Sequence, residues 1–552
     1  MITIKPGRGK NGTGFPNRTS HSHQIPELVK ISKDSNLQAR KQDWIFGVSS
    51  TLLCCIILLP LLWYGFGVDQ GIFSYAAWLW RKFGHPPYSY CFDQAFPGIF
   101  LIHYFAQEAL GESVTAFRVL DLAWQTGTAL VIFLTVRLVF QSRWSGLLAS
   151  IMYALVYVKL GPWDTGQRDG FFPLLYLGSF LLVRSRGSSV VGKYSALFAG
   201  LLMGFAFLLK PVAVLPGLLL LTLILRTAKN KPLAGFCFCS GAGLASAAVF
   251  IYYLQHGALQ DLYQALFEFN ARLYAGSQPI PAGLKLKGIL LVRLWPHNLA
   301  VLAGAMLLAI SWRKLKVLEK SPACWLLLIL AATYAGYVAQ GRYFIYHQAP
   351  VWGMLTVFAG PGWIFALKSR LAERRMLERT RAAFLLLLMV LVSASMVSKD
   401  LAWFAAKAAT ISPDSGQRTF DYYRVCWRAA CYLELRTRPE QTIQVWGGEA
   451  LVNYLAQRRS ATRFAQTFPL LLKPGSPSGV EFQQKLAQEF LDSIRQAPPA
   501  YFVVETMPHP GFGIASDKSV LIENYPGIWN FITANYVPES SIGFMEFYRR
   551  LE

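Results

Sequence analysis

The chain predicts a polytopic α-helical membrane protein with a small α/β domain at its C-terminal end, and three observations predict it. Hydrophobic residues make up 54% of 552 residues, far too many for one soluble core of this length. Apolar segments recur at about residues 44–66, 114–140, 145–160, 171–184, 194–209, 211–226, 232–254, 297–312, 322–340, 349–367 and 382–398, many close to the length of a bilayer crossing. After about residue 398 the hydropathy falls, and strand-like and helix-like stretches alternate.

The charges test the count. With the N-terminus inside, successive inner connections hold Arg137 and Arg143; Arg184, Arg186 and Lys193; Arg226, Lys229 and Lys231; Arg313, Lys314, Lys316 and Lys320; then Lys368, Arg370, Arg374, Arg375, Arg379 and Arg381. Basic residues flank the cytoplasmic ends of membrane helices, so about eleven spans (up to thirteen if short helices are added) put the C-terminus outside. The net charge of +23 follows this topology and not a continuous basic face, which argues against nucleic acid. Three regions result: a disordered cytoplasmic tail at 1–43, a transmembrane domain at 44–398 and an extracytoplasmic α/β domain at 399–552. The tail is polar and basic with no signal-peptide pattern, so its Asn11 and Asn17 sequons would face the wrong side for glycosylation. Cys91, Cys426 and Cys431 fall in regions placed outside, leaving room for one disulfide, and no cysteine spacing suggests zinc.

Polar residues collect on the outer side, in connections 67–113, 162–170, 255–296 and 341–348, with Lys210 at a tight turn between helices. Within the first connection, Ile72 to Phe83 has the composition of a short interfacial helix with an aromatic face in lipid. In the C-terminal region, Gln441–Gly447, Ala500–Glu505 and Ile542–Arg549 read as strands, while Gly479–Ile494 and Gly527–Tyr536 read as helices.

Carboxylates at membrane depth are costly unless they serve a purpose. Asp69 is either the N-cap of the helix that follows or a general base facing the outer leaflet. Asp93 and Asp169, each beside a turn, favour the second reading, with Asp164 an alternative acid in the same loop as Asp169. Arg168 is either a surface ion-pair partner or a site cation, and Lys210 either snorkels or binds a phosphate. Arg342, Tyr343, Tyr346 and His347 crowd another outer turn, where guanidinium and phenol donors suit a phosphate or sugar. His85 and His103 read as packing residues.

The order D-Q-G-I-F-S-Y, D-Q-A-F-P-G-I-F and G-E-S-V-T-A-F-R-V-L-D, followed by G-Q-R-D-G-F-F-P-L-L-Y-L, F-L-L-K-P and Y-F-I-Y-H-Q-A-P, resembles the bacterial polyprenyl-phosphate-dependent glycosyltransferases of the GT-C class. These are relatives of protein O-mannosyltransferases and of the aminoarabinose transferases that modify lipid A. V-W-G-G-E-A-L-V-N-Y-L-A-Q-R-R-S-A-T-R-F and the closing F-Y-R-R extend the resemblance through most of the chain from about residue 44.

That resemblance implies inverting transfer of a sugar from a polyprenyl-phosphate donor to a hydroxyl of a lipid, glycan or protein acceptor at a bacterial inner membrane. Asp69 matches the first-loop catalytic base, Asp93 the acidic position of a D-N-K-P-P-G-like turn and Asp169 the second-loop carboxylate. The lysine and first proline of that turn are Ala95 and Phe96 here, so the phosphate's charge must be met by Lys210, Arg168, Arg342 or a divalent metal; no cofactor is otherwise implied. A lipid-linked sugar transporter would carry charges at the span centres and symmetry-related repeats, neither of which is evident. An outer-face polysaccharide polymerase or ligase would have a large Arg- and His-rich outer loop, whereas 255–296 carries few such residues.

Overall fold

The structure, a computed structural model, describes residues 25–184, 191–275, 296–315, 317–372, 418–507 and 516–551. Every apolar segment drawn from the sequence corresponds to a helix except 382–398, which lies outside the described residues, as do Asn11, Asn17 and residues 276–295 of the 255–296 connection. The helices are α1 (Ile25–Leu58), α4 (Val114–Phe140), α5 (Arg143–Lys159), α6 (Phe172–Arg184), α7 (Lys193–Leu209), α8 (Val214–Thr227) and α9 (Lys231–Gln255). Pro296–Ile310, Val317–Gln340 and Ala349–Ala372 follow. Among the described residues, 5 helices are long and apolar enough to cross a membrane: Arg40–Trp63, Val114–Phe140, Lys231–Gln255, Glu319–Gln340 and Ile345–Ser369.

One end of the bundle is fixed by charge. Asp43 on α1 accepts from Arg137 Nε at 2.8 Å and Arg143 Nε at 2.5 Å, so the start of the first apolar helix lies beside the α4–α5 turn. The opposite end carries the connection from 67 to 113, which folds into α2 (Val68–Phe83) and α3 (Gly98–Leu110). The α2 helix starts where Gln70 Oε1 accepts the Gly67 N–H at 2.9 Å and stops at Gly84, whose left-handed φ of 69° suits a glycine C-cap.

The expectation for the aromatic face of α2 needs correcting. Ile72, Phe73, Tyr75 and Trp78 are each no more than 2% exposed and pack inside the protein. What covers them includes the C-terminal region: Leu451, on the helix Ala450–Ala456, lies so near Gly71 that a β-carbon there would sit 2.7 Å from the Leu451 β-carbon. The Ser460 N–H also donates to the Tyr75 hydroxyl at 2.7 Å. Distant chain segments supply the cover, which local composition does not reveal.

Residues 443–550 carry a 4-stranded sheet in the order β1-β2-β4-β3, with β1 (Ile443–Trp446) parallel to β2 (Tyr501–Glu505). β4 (Met545–Arg550) runs antiparallel to both β2 and β3 (Tyr536–Ile542). β1 and β2 are buried throughout, as a strand covered on both faces should be. β3 is an edge strand with an irregular register near Pro538, and it begins at Tyr536, where sequence reading expected helix. Cys91, Cys426 and Cys431 are free thiols.

Candidate active site

Two buried side chains lock the turn at 162–170 against the start of α2. Gln70 Nε2 donates to the carbonyls of Pro162 at 3.1 Å, Trp163 at 3.1 Å and Thr165 at 2.7 Å. Arg118, fully buried on α4, donates to the carbonyls of Tyr64 at 3.2 Å, Gly65 at 2.7 Å and Pro162 at 3.0 Å, and to Thr165 Oγ1 at 3.1 Å. Its charge is met by Asp121 Oδ2 at 3.5 Å, while Asp121 Oδ1 accepts from Gln125 at 2.9 Å and Tyr157 at 2.8 Å. Buried carbonyls without donors would destabilise the turn, so these contacts fix the turn's position relative to Asp69.

Beyond that turn the charges converge. Lys210 follows α7 and points its ammonium at Asp169 Oδ2, 2.6 Å away, and at Gln340 Oε1, also 2.6 Å away. Burial pulls the Lys210 pKa down to about 8, with Asp169 holding the charge on and Arg168 repelling it. Arg168 stands in the field of Tyr346, Asp69, Asp169 and Asp93; burial works against its charge, yet these neighbours together hold its pKa above the usual value. Its guanidinium lies 5.7 Å from the Phe73 ring centroid.

Asp69 sits in the first turn of α2, partly exposed. Burial of its carboxyl raises its pKa, while Arg168, Gln167, Lys210 and Tyr346 each favour the charged form. Asp93 is only 3% exposed; Oδ1 accepts from the Ala95 N–H at 2.6 Å and Oδ2 from Gln466 Nε2 at 2.8 Å. Burial pushes it up to about 6, Arg168 opposes that, and Asp69 adds to it. The structure therefore brings Asp69, Asp93, Asp169, Arg168 and Lys210 into one electrostatic neighbourhood.

The remaining residues singled out from sequence divide. Tyr346 belongs to the cluster, with the Lys210 ammonium 5.7 Å from its ring centroid. His347 is 5% exposed and lines a small cavity with Asp169, Tyr176, Tyr337 and Gln340. Arg342 stacks over Tyr274 at 4.1 Å and donates to the Tyr274 carbonyl. Tyr343 adopts a left-handed φ of 54° and meets Tyr337 edge-on at 5.7 Å. Asp164 lies partly exposed in the 162–170 turn. His103 packs on Phe117 with centroids 3.9 Å apart and pairs with Ser74, and His85 stacks on Tyr90, as expected of packing residues.

Sequence reading missed Gln167, Tyr274, Gln340 and Gln466, none of which carries a charge to attract attention. Arg118 and Asp121 did offer a signal, a charged pair three residues apart inside an apolar run. Around the cluster, Arg168 Nε, Asp169 Oδ1, Gln167 Oε1 and His347 Nδ1 are buried without a hydrogen-bond partner among the described residues. Buried polar atoms left this way suit an additional bound group. No group of three or more His, Cys, Asp or Glu side chains that could hold a metal occurs among the described residues.

No family model matches the chain, and no curated protein does. Among solved structures it is similar to ArnT from Cupriavidus metallidurans in the apo state, with a TM-score of 0.54 at 12% identity over 93% of this chain and 98% of that one. It is also similar to the same protein bound to undecaprenyl phosphate, with a TM-score of 0.52 at 12% identity over 92% of this chain and 98% of that one. The archaeal oligosaccharyltransferase AglB from Archaeoglobus fulgidus, in complex with an inhibitory peptide and a dolichol-phosphate, matches at 0.48 and 13% identity over 93% of this chain and 75% of that one. At such identities the likeness to ArnT is one of fold. The chain thus has the fold seen in ArnT, with several helices long and apolar enough to cross a membrane, as in a multi-pass membrane protein.

Proposed function

We propose that this chain is a membrane glycosyltransferase that moves a sugar from a polyprenyl-phosphate-linked donor to an acceptor hydroxyl at the outer face of a bacterial inner membrane. The observation that carries the reading is the meeting of two cations, Arg168 and Lys210, with Asp69, Asp93 and Asp169 at the end of the bundle opposite Asp43. The undecaprenyl phosphate in the similar ArnT structure makes a lipid phosphate the natural donor class.

In this mechanism Asp69 accepts the proton of the acceptor hydroxyl as its oxygen attacks the anomeric carbon from the face opposite the phosphate. The carbon–oxygen bond to the phosphate breaks, and the polyprenyl phosphate leaves with the electron pair, which inverts the anomeric centre. A base buried enough to have a raised pKa binds the proton more strongly once ionised, and Arg168, Gln167, Lys210 and Tyr346 favour that ionised form. The departing phosphate gains charge in the transition state, so Arg168 and Lys210 act where stabilisation matters most. Asp169 aims Lys210, and Asp93 helps balance Arg168. Tyr346 and His347 serve as polar contacts to phosphate or sugar, while Arg342 and Tyr343 shape the adjoining turn around Tyr274 and Tyr337.

The test is mass spectrometry of cell-surface glycolipids and glycoproteins from cells with and without the chain. Loss of one sugar from one species supports the reading. Joint depletion of many products would indicate a flippase, and unchanged glycans would refute sugar transfer.

A further inference from the structure

Asp93 is held by two chain regions far apart in sequence. Its Oδ1 is met locally by the Ala95 N–H, but its Oδ2 is met by Gln466, 373 residues away. Gln466 is itself 5% exposed, and the segment that presents it is pinned on both sides.

On one side, the Phe92 N–H donates to the Arg463 carbonyl at 2.7 Å. The Arg463 guanidinium spans Glu489 Oε1 at 2.5 Å, Glu489 Oε2 at 2.8 Å and Gln264 Oε1 at 2.6 Å, and lies 5.2 Å from the Phe92 ring centroid. On the other side, the Thr467 N–H donates to the Gly447 carbonyl at 2.7 Å and Thr467 Oγ1 accepts from the Gly447 N–H at 2.8 Å. A primary amide fixed at both flanks has little freedom to turn away, so it acts as a preorganised donor.

We propose that Gln466 is a positioning residue for Asp93, so that the C-terminal region completes the carboxylate and guanidinium cluster instead of merely covering it. The proposal rests on the glycosyltransferase reading for its catalytic consequence, but its structural core does not. An amide N–H donated to a carboxylate favours the ionised form and fixes its lone pairs. The groups that act on Asp93 or feel its charge are Arg168 and Asp69, then Tyr88 and Cys91 on its own loop and Tyr274 from the adjoining segment. Arg168 is the cation among them, and Gln466 is the side-chain donor to Asp93 from the C-terminal region among the described residues. Losing that donor moves the Asp93 pKa further above its value of about 6.

A carboxyl whose folded pKa exceeds its unfolded value contributes stability at low pH that is lost as pH rises from roughly 4 toward 6. In Gln466→Met, of similar length, that falling window extends upward.

The experiment compares the full chain purified in detergent as wild type, Gln466→Met, Gln466→Glu, Asp93→Asn and Gln466→Met/Asp93→Asn, following the thermal midpoint from pH 4 to pH 8. The expected result is a window whose upper edge lies about one pH unit higher in Gln466→Met, a difference that vanishes once Asp93→Asn is also present. An equal displacement in the Asp93→Asn background, or none in either, overturns the proposal. In membranes, turnover of the glycan species identified by mass spectrometry should show an acidic limb shifted upward by the same amount, with kcat lowered more than KM is changed.

The exchanged pair Asp93→Asn/Gln466→Glu restores the hydrogen bond with donor and acceptor reversed. Recovery of folding without recovery of transfer supports a role for the Asp93 charge, whereas recovery of both assigns the contact to structure alone and overturns the proposal. Should the wild type transfer no sugar, the thermal series still decides whether Gln466 governs Asp93.

Discussion

Lys210 Nζ and Asp169 Oδ2 lie 2.6 Å apart although 41 residues separate them, with the lysine side chain 11% exposed and the aspartate 1%. Each was singled out in the sequence as a charge at a turn; together they form a buried ion pair whose ammonium also faces Gln340 and Tyr346. Such a pair keeps a buried cation in one orientation.

If Lys210 assists the departing phosphate as proposed, its pKa of about 8 should set an alkaline limit on transfer. Below that pH the ammonium is charged and available to a phosphate; above it the charge is lost. Affinity for undecaprenyl phosphate should therefore fall as pH rises through about 8 in the wild type. In Lys210→Arg the decline should disappear, because guanidinium stays protonated throughout. Binding measured by titration calorimetry in detergent from about pH 6.5 to about pH 9.5 checks this.

Asp69→Asn should abolish transfer while expression and membrane insertion persist. Loss of a general base typically costs ~10²–10⁴-fold in rate. Quantitative mass spectrometry of the acceptor, alongside immunoblots of membrane fractions, measures both effects, and full activity in that variant would remove Asp69 as the base.

Arg118→Met should destabilise the protein by about 3–5 kcal/mol, because Asp121 is then left buried without its cation, the Gly65 carbonyl loses the Arg118 donor and the Pro162 carbonyl is left with Gln70. Activity should drop as well, since the turn that carries Arg168 and Asp169 loses a support. Thermal unfolding in detergent measures the first effect, and a comparison with Arg118→Met/Asp121→Leu should recover part of it.

Gly71→Val should separate α2 from the helix Ala450–Ala456, because even a β-carbon at Gly71 would meet Leu451 at 2.7 Å. Overpacking of this kind costs about 1–3 kcal/mol. Limited proteolysis should then cut the C-terminal region faster than in the wild type, while Gly84→Ala, at the far end of α2 with nothing within 4 Å, should not cause that release.

The apolar helices were legible because a crossing segment must carry its hydrophobicity locally, and the boundaries at 114–140 and 194–209 nearly coincide with α4 and α7. Asp69, Asp93 and Asp169 stood out for the same reason, as charges where charge is costly. Their partners did not. Gln466, Gln340 and Gln167 are neutral amides whose importance depends on which distant atom they meet. Composition also misled at α2, where a surface suited to lipid is buried under Leu451 and Ser460. β3 escaped notice because an edge strand with Pro538 and mostly exposed residues has neither alternation nor an apolar run.

The contact between α2 and the helix Ala450–Ala456 also bears on how such proteins can diversify. With Leu451 lodged against Gly71 and Ser460 bonded to Tyr75, the C-terminal region is no exchangeable cassette. A chimera replacing residues 418–551 with a foreign terminal module would inherit a mismatched seam, unless residues 68–83 travelled with it.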